Sequence, residues 1–457
     1  MRLRLTALAL LAAGALPAGA QEPLTLEQAM AHPDWIGPPV EQAWWSLDGQ
    51  RAYYQLKREG SPVRDTWAVP VAGGEPQKVE GAALADLDGS SPVFDPTRRQ
   101  AVFVRNGDVF LRVLGGPVVQ LTRTNEAESQ PRFGADGRSV IWRQGNDWYR
   151  WTSVDRLVQP VALPKAEKDP GAEREPDPLT EHQLRLSTQL AREKQFREAQ
   201  REHAEQQREA DPSRAAAPVY LGDKITISDT ALSPDGRWLL VVTEAKGYED
   251  GRAGKMPKYV TESGYEEVED VRTRVGRNVP QGQQLVLVDL ADGGQRPVSL
   301  SSLPAIERDP LAELRRAAGK DPLEGDRAVR IERLLWNDDG TRVAFMARAV
   351  DNKDRWIATI DPAAEGLRPV HRLNDPGWIN WNFNDFGWLP GGRTLWYLSE
   401  ESGYSHLYTV VPGQRAARLT SGNWEASSPQ WSPDGATAYF LCNRAWPGDY
   451  EVCSVPS

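Results

Sequence analysis

One corner recurs along this chain of 457 residues and restricts its fold more than any other feature. Each copy has an aromatic or apolar residue, a tight polar turn closing on glycine, and then an apolar strand. The copies are Trp45-Ser46-Leu47-Asp48-Gly49, Phe133-Gly134-Ala135-Asp136-Gly137, Leu232-Ser233-Pro234-Asp235-Gly236, Trp336-Asn337-Asp338-Asp339-Gly340, Trp388-Leu389-Pro390-Gly391-Gly392 and Trp431-Ser432-Pro433-Asp434-Gly435. A degenerate seventh, Phe94-Asp95-Pro96-Thr97-Arg98, lacks the glycine. Proline presets φ for the first turn position, aspartate caps the turn through its side chain, and glycine takes a positive φ without steric cost. The apolar residues on either side make a strand pair, which cannot bury its two faces alone. Stacked copies can, and a spacing of about 40–50 residues fits four-stranded propeller blades.

From Asp48 through Asp95, Asp136, Asp235, Asp339 and Gly391 to Asp434 the steps are 47, 41, 99, 104, 52 and 43 residues. Ordinary steps are one blade each, and the two long ones hold a hidden blade or an insertion. The expected fold is all-β: a β-propeller of seven or eight four-stranded blades over residues 21–457, closed or incomplete, with an inserted polar helix. The competing reading is a β-sandwich rich in hairpins, which seven in-phase copies argue against.

The first insertion, about residues 176–212, reads as a helix. Pro178 and Thr180 open it, Thr180 with Gln183 fits a capping box, and Asp211-Pro212 stops it. Its apolar stripe of Leu184, Leu186, Leu190 and Phe196 is thin, which suits a solvated excursion or an arm touching a second domain or subunit. The second insertion, about 246–327, carries the acidic run Glu266, Glu267, Glu269 and Asp270, a strand at 285–290, and a short helix with Asp309 as N-cap, Pro310 first and Gly319 after its end.

Residues 1–20 read as a signal peptide: Arg2 and Arg4, an apolar run over 5–16 too short to span a bilayer, and Ala18-Gly19-Ala20 as a cleavage site. The expectation is export to a periplasm or beyond. Losing the two arginines takes the formal charge from −10 to −12, which disfavours nucleic acid and anionic membranes as partners. Cys442 and Cys453 lie on two short strands around a turn. In an oxidising compartment they could pair, and buried free thiols are the other reading. No imidazole neighbour in sequence activates either one.

Catalytic machinery is not legible. There is no G-x-S-x-G, and none of His32, His182, His203, His371 and His406 follows a nucleophile elbow. No zinc spacing and no phosphate-cradling glycine loop is present, so neither metal nor cofactor is expected. The acidic pair Glu266 and Glu267 is the remaining candidate, as a holder of a cation such as a peptide's free amine, against the alternative of a solvated acidic edge.

The corners resemble the PD40 (WD40-like) units shared by the TolB propeller and the S9 prolyl oligopeptidase group. Three stretches are similar to the N-terminal propeller of bacterial dipeptidyl-peptidase IV-like S9 peptidases: residues 259–276, with Ser263-Gly264-Tyr265 and Val271-Arg272-Thr273-Arg274-Val275-Gly276; Leu398-Ser399-Glu400-Glu401-Ser402-Gly403-Tyr404-Ser405-His406-Leu407-Tyr408; and Arg418-Leu419-Thr420-Ser421-Gly422-Asn423-Trp424-Glu425. The resemblance implies a propeller that screens peptide substrates by size beside an α/β-hydrolase domain, supplied in cis or in trans, with a glutamate pair holding the substrate amine. Tyr265-Glu266-Glu267 matches that pair's context loosely. The family would continue past a position like Ser457 through a closing blade into the hydrolase domain, so this chain reads as a piece, a truncation, or one of two partners. It also leaves room for a homo-oligomer. The competing function is a TolB-like periplasmic binding propeller that stands alone.

Overall fold

The computed structural model describes residues 24–31, 33–172, 177–211, 213–249, 251–276, 278, 280–364 and 366–457. The signal-peptide reading falls on residues outside this set. Seven antiparallel sheets follow one another along the chain as the seven blades of an all-β propeller. Residues 24–91 with 114–118 make one compact unit, and 92–113 with 119–457 make a second.

The first unit holds blade 1, with strands Val40–Trp45, Arg51–Lys57, Arg64–Pro70 and Gln77–Lys78. Tyr53 is buried against the Trp44 ring, 5.6 Å between centroids. Trp44 Nε1 donates to the Asp88 carbonyl at 2.9 Å, and Asp88 also accepts from the Leu47 amide.

The second unit holds blades 2 to 7. Blades 2, 3, 5 and 6 open with strands Val93–Phe94, Glu128–Phe133, Val329–Trp336 and Phe386–Trp388. Blade 4 is built from Ile225–Leu232, Trp238–Ala245, Gln284–Asp289 and Gln295–Val298. The 246–327 stretch is therefore not one insertion. Its middle returns as the two outer strands of blade 4, because Leu285 and Leu287 alternate onto a buried face. Blade 3 gains a fifth strand, Pro218–Tyr220, parallel to Val158–Lys165. Blade 7 has three strands, Ala426–Trp431, Thr437–Trp446 and Asp449–Pro456.

The second strands of blades 2 to 6 are buried on both faces, so their period of two feeds two different cores. Val140 and Trp142 pack toward blade 2, whereas Ile141 between them packs with Leu239 and Val241 of blade 4. Leu240 and Val242 face the opposite way, onto Phe345 and Trp356 of blade 5. Ala344 and Met346 then meet Tyr397 of blade 6, and Leu398 meets Phe440 and Cys442 of blade 7. Each seam from blade 2 to blade 7 is thus an apolar sandwich made by alternation, with each fully buried large side chain worth about 1.5–3 kcal/mol of transfer free energy.

The corners form as their composition dictates. Gly49, Gly137, Gly236, Gly340, Gly392 and Gly435 all have φ between 62° and 78°. In the degenerate copy Arg98 takes that place at φ 54°, held by its amide bond to the Asp95 carbonyl. A second repeated device was not legible in the sequence. The first strands of blades 1, 3, 4, 5 and 7 each carry one extra residue six or seven positions before the corner aspartate, near Glu41, Gln130, Ser228, Glu332 and Ser428. Such bulges raise local twist and re-aim the strand. A third device is an indole latch. Trp336 Nε1 donates to the Ala231 carbonyl of blade 4, and Trp388 Nε1 to the Leu335 carbonyl of blade 5, both at 3.0 Å.

Between blades 3 and 4, helices Pro178–Leu186 and Thr188–Ala210 make the polar excursion. Asp177, not Thr180, caps the first: its carboxylate accepts the Leu179 amide with Pro178 at the first turn. Ser187 breaks the run and caps the second helix. The short helix after blade 4 is Ala312–Ala317, starting later than Asp309 suggested. Asp309 instead accepts the amides of Leu311 and Leu323, closing a loop around the helix rather than capping it.

Candidate functional site

Antiparallel order sorts the connections of blades 2 to 7 by end. Turns joining first to second strands, the Asp–Gly corners, lie at one end. Turns joining second to third strands, and the links from one blade to the next, lie at the other. Every long excursion falls in the second group: the helices at 178–210, the hairpin Ala253–Lys258 with Glu267–Thr273, the 299–328 segment, and the 375–385 loop. Loops that rigid strands position in this way are where binding residues accumulate.

The 299–328 excursion is anchored by charge. Arg327, 2% exposed, bonds the carbonyls of Ala305 and Ile306 and pairs with Asp351 and Asp354 of blade 5. Asp354 also accepts from Arg372 at 2.7 Å and from Asn374, so this buried carboxylate is fully satisfied.

Beside it, across the seam of blades 5 and 6, lies a second group of polar side chains. Arg355 on Asp354–Ile360 is fully buried; its Nη1 donates to the Leu398 carbonyl and its Nη2 to His371 Nδ1, each at 3.0 Å. Because Nδ1 accepts, the imidazole proton sits on Nε2, which donates to Glu401 at 2.8 Å. The His371 ring lies 4.4 Å from that of Tyr397, which stacks on Tyr408. Burial holds the His371 imidazole below its ordinary basicity against the opposing pull of Glu401, and Arg355 adds to the decrease. Burial likewise lowers Arg355, to about 10. Glu401 is held below the usual carboxylate range by the His371 bond, although burial opposes it. Its neighbour Glu400 is pushed up by burial and by the nearby charges of Glu425 and Asp375. Two adjacent glutamates thus differ in proton affinity, and exposed Trp378 and Tyr404 belong to the same loops. The arrangement offers negative charge and aromatic surface, and no nucleophile beside a base.

Glu266 and Glu267, the sequence candidates, lie elsewhere at this end, on the exposed hairpin of blade 4. Glu267 accepts from Ser263 Oγ at 2.7 Å, while Glu269 and Asp270 pair with Lys258 and Lys255 of the opposite strand. Much of the acidic run is therefore neutralised locally. Between blades 3 and 4 an open cleft of about 470 Å³ is lined by Glu126, Asn146, Asp147, Lys165, Thr226 and Ile227, with Lys165 paired to Asp147 at 3.0 Å. Cys442 and Cys453 form a disulfide in blade 7, their Cα atoms 6.0 Å apart. Among the described residues no group of three or more His, Cys, Asp and Glu side chains is arranged to hold a metal ion, and no helix is long and apolar enough to cross a membrane.

The Arg355–His371–Glu401 group was missed at the level of sequence. Its members come from two blades, and the available signal was the Glu400-Glu401 pair inside the stretch 398–408.

Fold and site together define a β-propeller with one structural end and one loop-rich end. Residues 316–456 match the family described as dipeptidyl peptidase IV (DPP IV) N-terminal region. The uncharacterized peptidase YuxL of Bacillus subtilis is 31% identical over 105 residues, which cover 21% of this chain and 15% of that protein. The crystal structure of Porphyromonas gingivalis dipeptidyl peptidase 4 aligns over 93% of this chain and 53% of its own, at 15% identity and a TM-score of 0.47. The chain therefore spans about half the length of that solved structure and less of the curated relative.

Proposed function

We propose that this chain is the substrate-screening propeller of a secreted S9-type serine exopeptidase of the dipeptidyl-peptidase IV kind, acting with an α/β-hydrolase domain that carries the nucleophile. The observation that carries the reading is the family match over residues 316–456. The segregation of long excursions at one end supports it, since a propeller that meets both a peptide and a second domain needs one elaborated face. Glu266 and Glu267 would receive a peptide's amine there, on a hairpin long enough to reach outward.

The test compares two proteins: the isolated 457-residue chain, and the product of the adjoining coding sequence that contains it. Both are offered a dipeptidyl-prolyl chromogenic reporter and a fluorophosphonate probe. The isolated chain is expected to be inert to both, and the longer product to turn over the reporter and label on its hydrolase part. In that product Glu266→Gln with Glu267→Gln should raise KM about tenfold or more, the loss of one charge-assisted contact. Turnover by the isolated chain, surviving removal of contaminating proteases, overturns the reading. A coding region with no hydrolase part would favour a binding propeller that stands alone.

A further inference from the structure

We propose that His371 is a pH-operated latch: in its neutral state it seats the 400–405 loop of blade 6 onto blade 5, and on protonation it swings outward and lifts that loop off the seam. The inference is independent of what the loop-rich end binds.

The geometry admits one protonation state. Nδ1 accepts from Arg355 Nη2 at 3.0 Å and Nε2 donates to Glu401 at 2.8 Å. A second proton would sit on Nδ1 and face a guanidinium N–H, placing two donors and two positive charges in contact. Arg355 has nowhere to retreat: it is fully buried, its Nη1 is committed to the Leu398 carbonyl, and its Nε has no acceptor. The imidazole, 9% exposed and paired with a Glu401 that is 41% exposed, is the member able to leave. Moving outward keeps its bond to Glu401 and carries the loop with it.

The charged and titratable groups facing His371 are few. Arg355 comes from the third strand of blade 5, Tyr397 and Tyr408 from two strands of blade 6, and Glu400 and Glu401 from the loop between them, with Arg418 beside Tyr408. On its own strand, neighbouring Arg372 is committed to Asp354. Glu401 alone favours the imidazolium, and burial together with Arg355 outweighs it. A base whose folded-state affinity for protons is depressed contributes stability that is present above the unfolded value and lost as pH falls through the folded one. The seam should therefore open in mildly acidic solution, below the ordinary imidazole value of about 6.5.

Hydrogen exchange read by mass spectrometry on peptides covering 398–406, corrected for intrinsic rates, tests this at pH 7.5 and pH 5.0. Protection in the native chain should fall about tenfold or more at pH 5.0. His371→Gln supplies the same acceptor and donor without titrating, so its protection should be nearly equal at both pH values. Equal loss in the native chain and in H371Q, or no loss in the native chain, overturns the proposal. Should H371Q not fold, exchange at the imidazole C2 position of His371 in the native chain decides: a midpoint below 6.5 supports the latch, and one at or above 6.5 refutes it.

Discussion

Reducing the Cys442–Cys453 bond should loosen the outer edge of blade 7 without unfolding the rest. The two cysteines are 11 residues apart in sequence. Chain-entropy arithmetic for a loop of that size gives about 9 cal/mol/K, or about 2.8 kcal/mol at 25 °C, lost when the cross-link opens. The cost falls on strand Asp449–Pro456, which among the described residues pairs on one side only, with Thr437–Trp446. Cys442 is fully buried against the blade 6 core, so reduction, which keeps both sulfurs in place, isolates the cross-link from packing. An opening equilibrium shifted by 2.8 kcal/mol is a change of about 100-fold. Hydrogen exchange over residues 437–456, with and without dithiothreitol, should show that loss of protection, whereas peptides from blade 5 should be unaffected. Two thiols that react with iodoacetamide in the unfolded but unreduced protein would refute the pairing. Exchange unchanged by reduction would refute the entropic argument while leaving the bond.

Other consequences follow from the corners and latches. Trp336→Phe removes the indole N–H and its bond to the Ala231 carbonyl, and should cost about 0.5–1.5 kcal/mol in chemical denaturation. Gly236→Ala and Gly137→Ala impose the same positive φ on a β-carbon. At Gly236, however, that carbon would also run into Arg150 Nη2, whereas at Gly137 nothing lies within 4 Å. G236A should therefore be the more destabilising, with G137A near the backbone strain of about 1–2 kcal/mol alone. At Asp339 burial raises the carboxyl, but bonds from Thr341 and Asn337 outweigh it and the net shift is downward. Stability from such groups is present above the unfolded value of 3.8 and is lost as pH falls through the lower folded one. D339N should flatten the acid limb of a Tm-against-pH profile below pH 4, and an unchanged limb would refute the assignment.

The corners were legible because a turn is local chemistry: proline, aspartate and glycine act on the same four residues whatever surrounds them. The apolar strands after each corner were legible for the same reason, and they bounded the blade count at seven or eight, of which the structure has seven. Within the second long step the strand at 285–290 was legible, but its place in blade 4 beside Gln295–Val298 was hidden because the exposed hairpin before it separates it from that blade's first two strands. The inner-strand bulges left no pattern in residue type, since Glu41, Gln130, Ser228, Glu332 and Ser428 share only polarity. The Arg355–His371–Glu401 group was invisible for a different reason. An arginine, a histidine and a glutamate 16 and 30 residues apart have no meaning until two blades press them together.

The division between the two ends follows from strand order rather than from selection of particular loops. A corner that must return the chain immediately into the next strand of its own sheet has no freedom to grow. Several corners are also tied to the next blade, as Ala135 N is to the Pro234 carbonyl and Asn337 Nδ2 to that of Gly392. Connections at the opposite end can lengthen at modest entropic cost, about 0.6 kcal/mol per doubling. All the variable chemistry of blades 2 to 7 must then gather at one end: the helices, the acidic hairpin, the anchored 299–328 segment and the His371 latch. A ligand for this protein is to be sought there, and substitutions at the Asp–Gly corners should change stability while leaving binding unaltered.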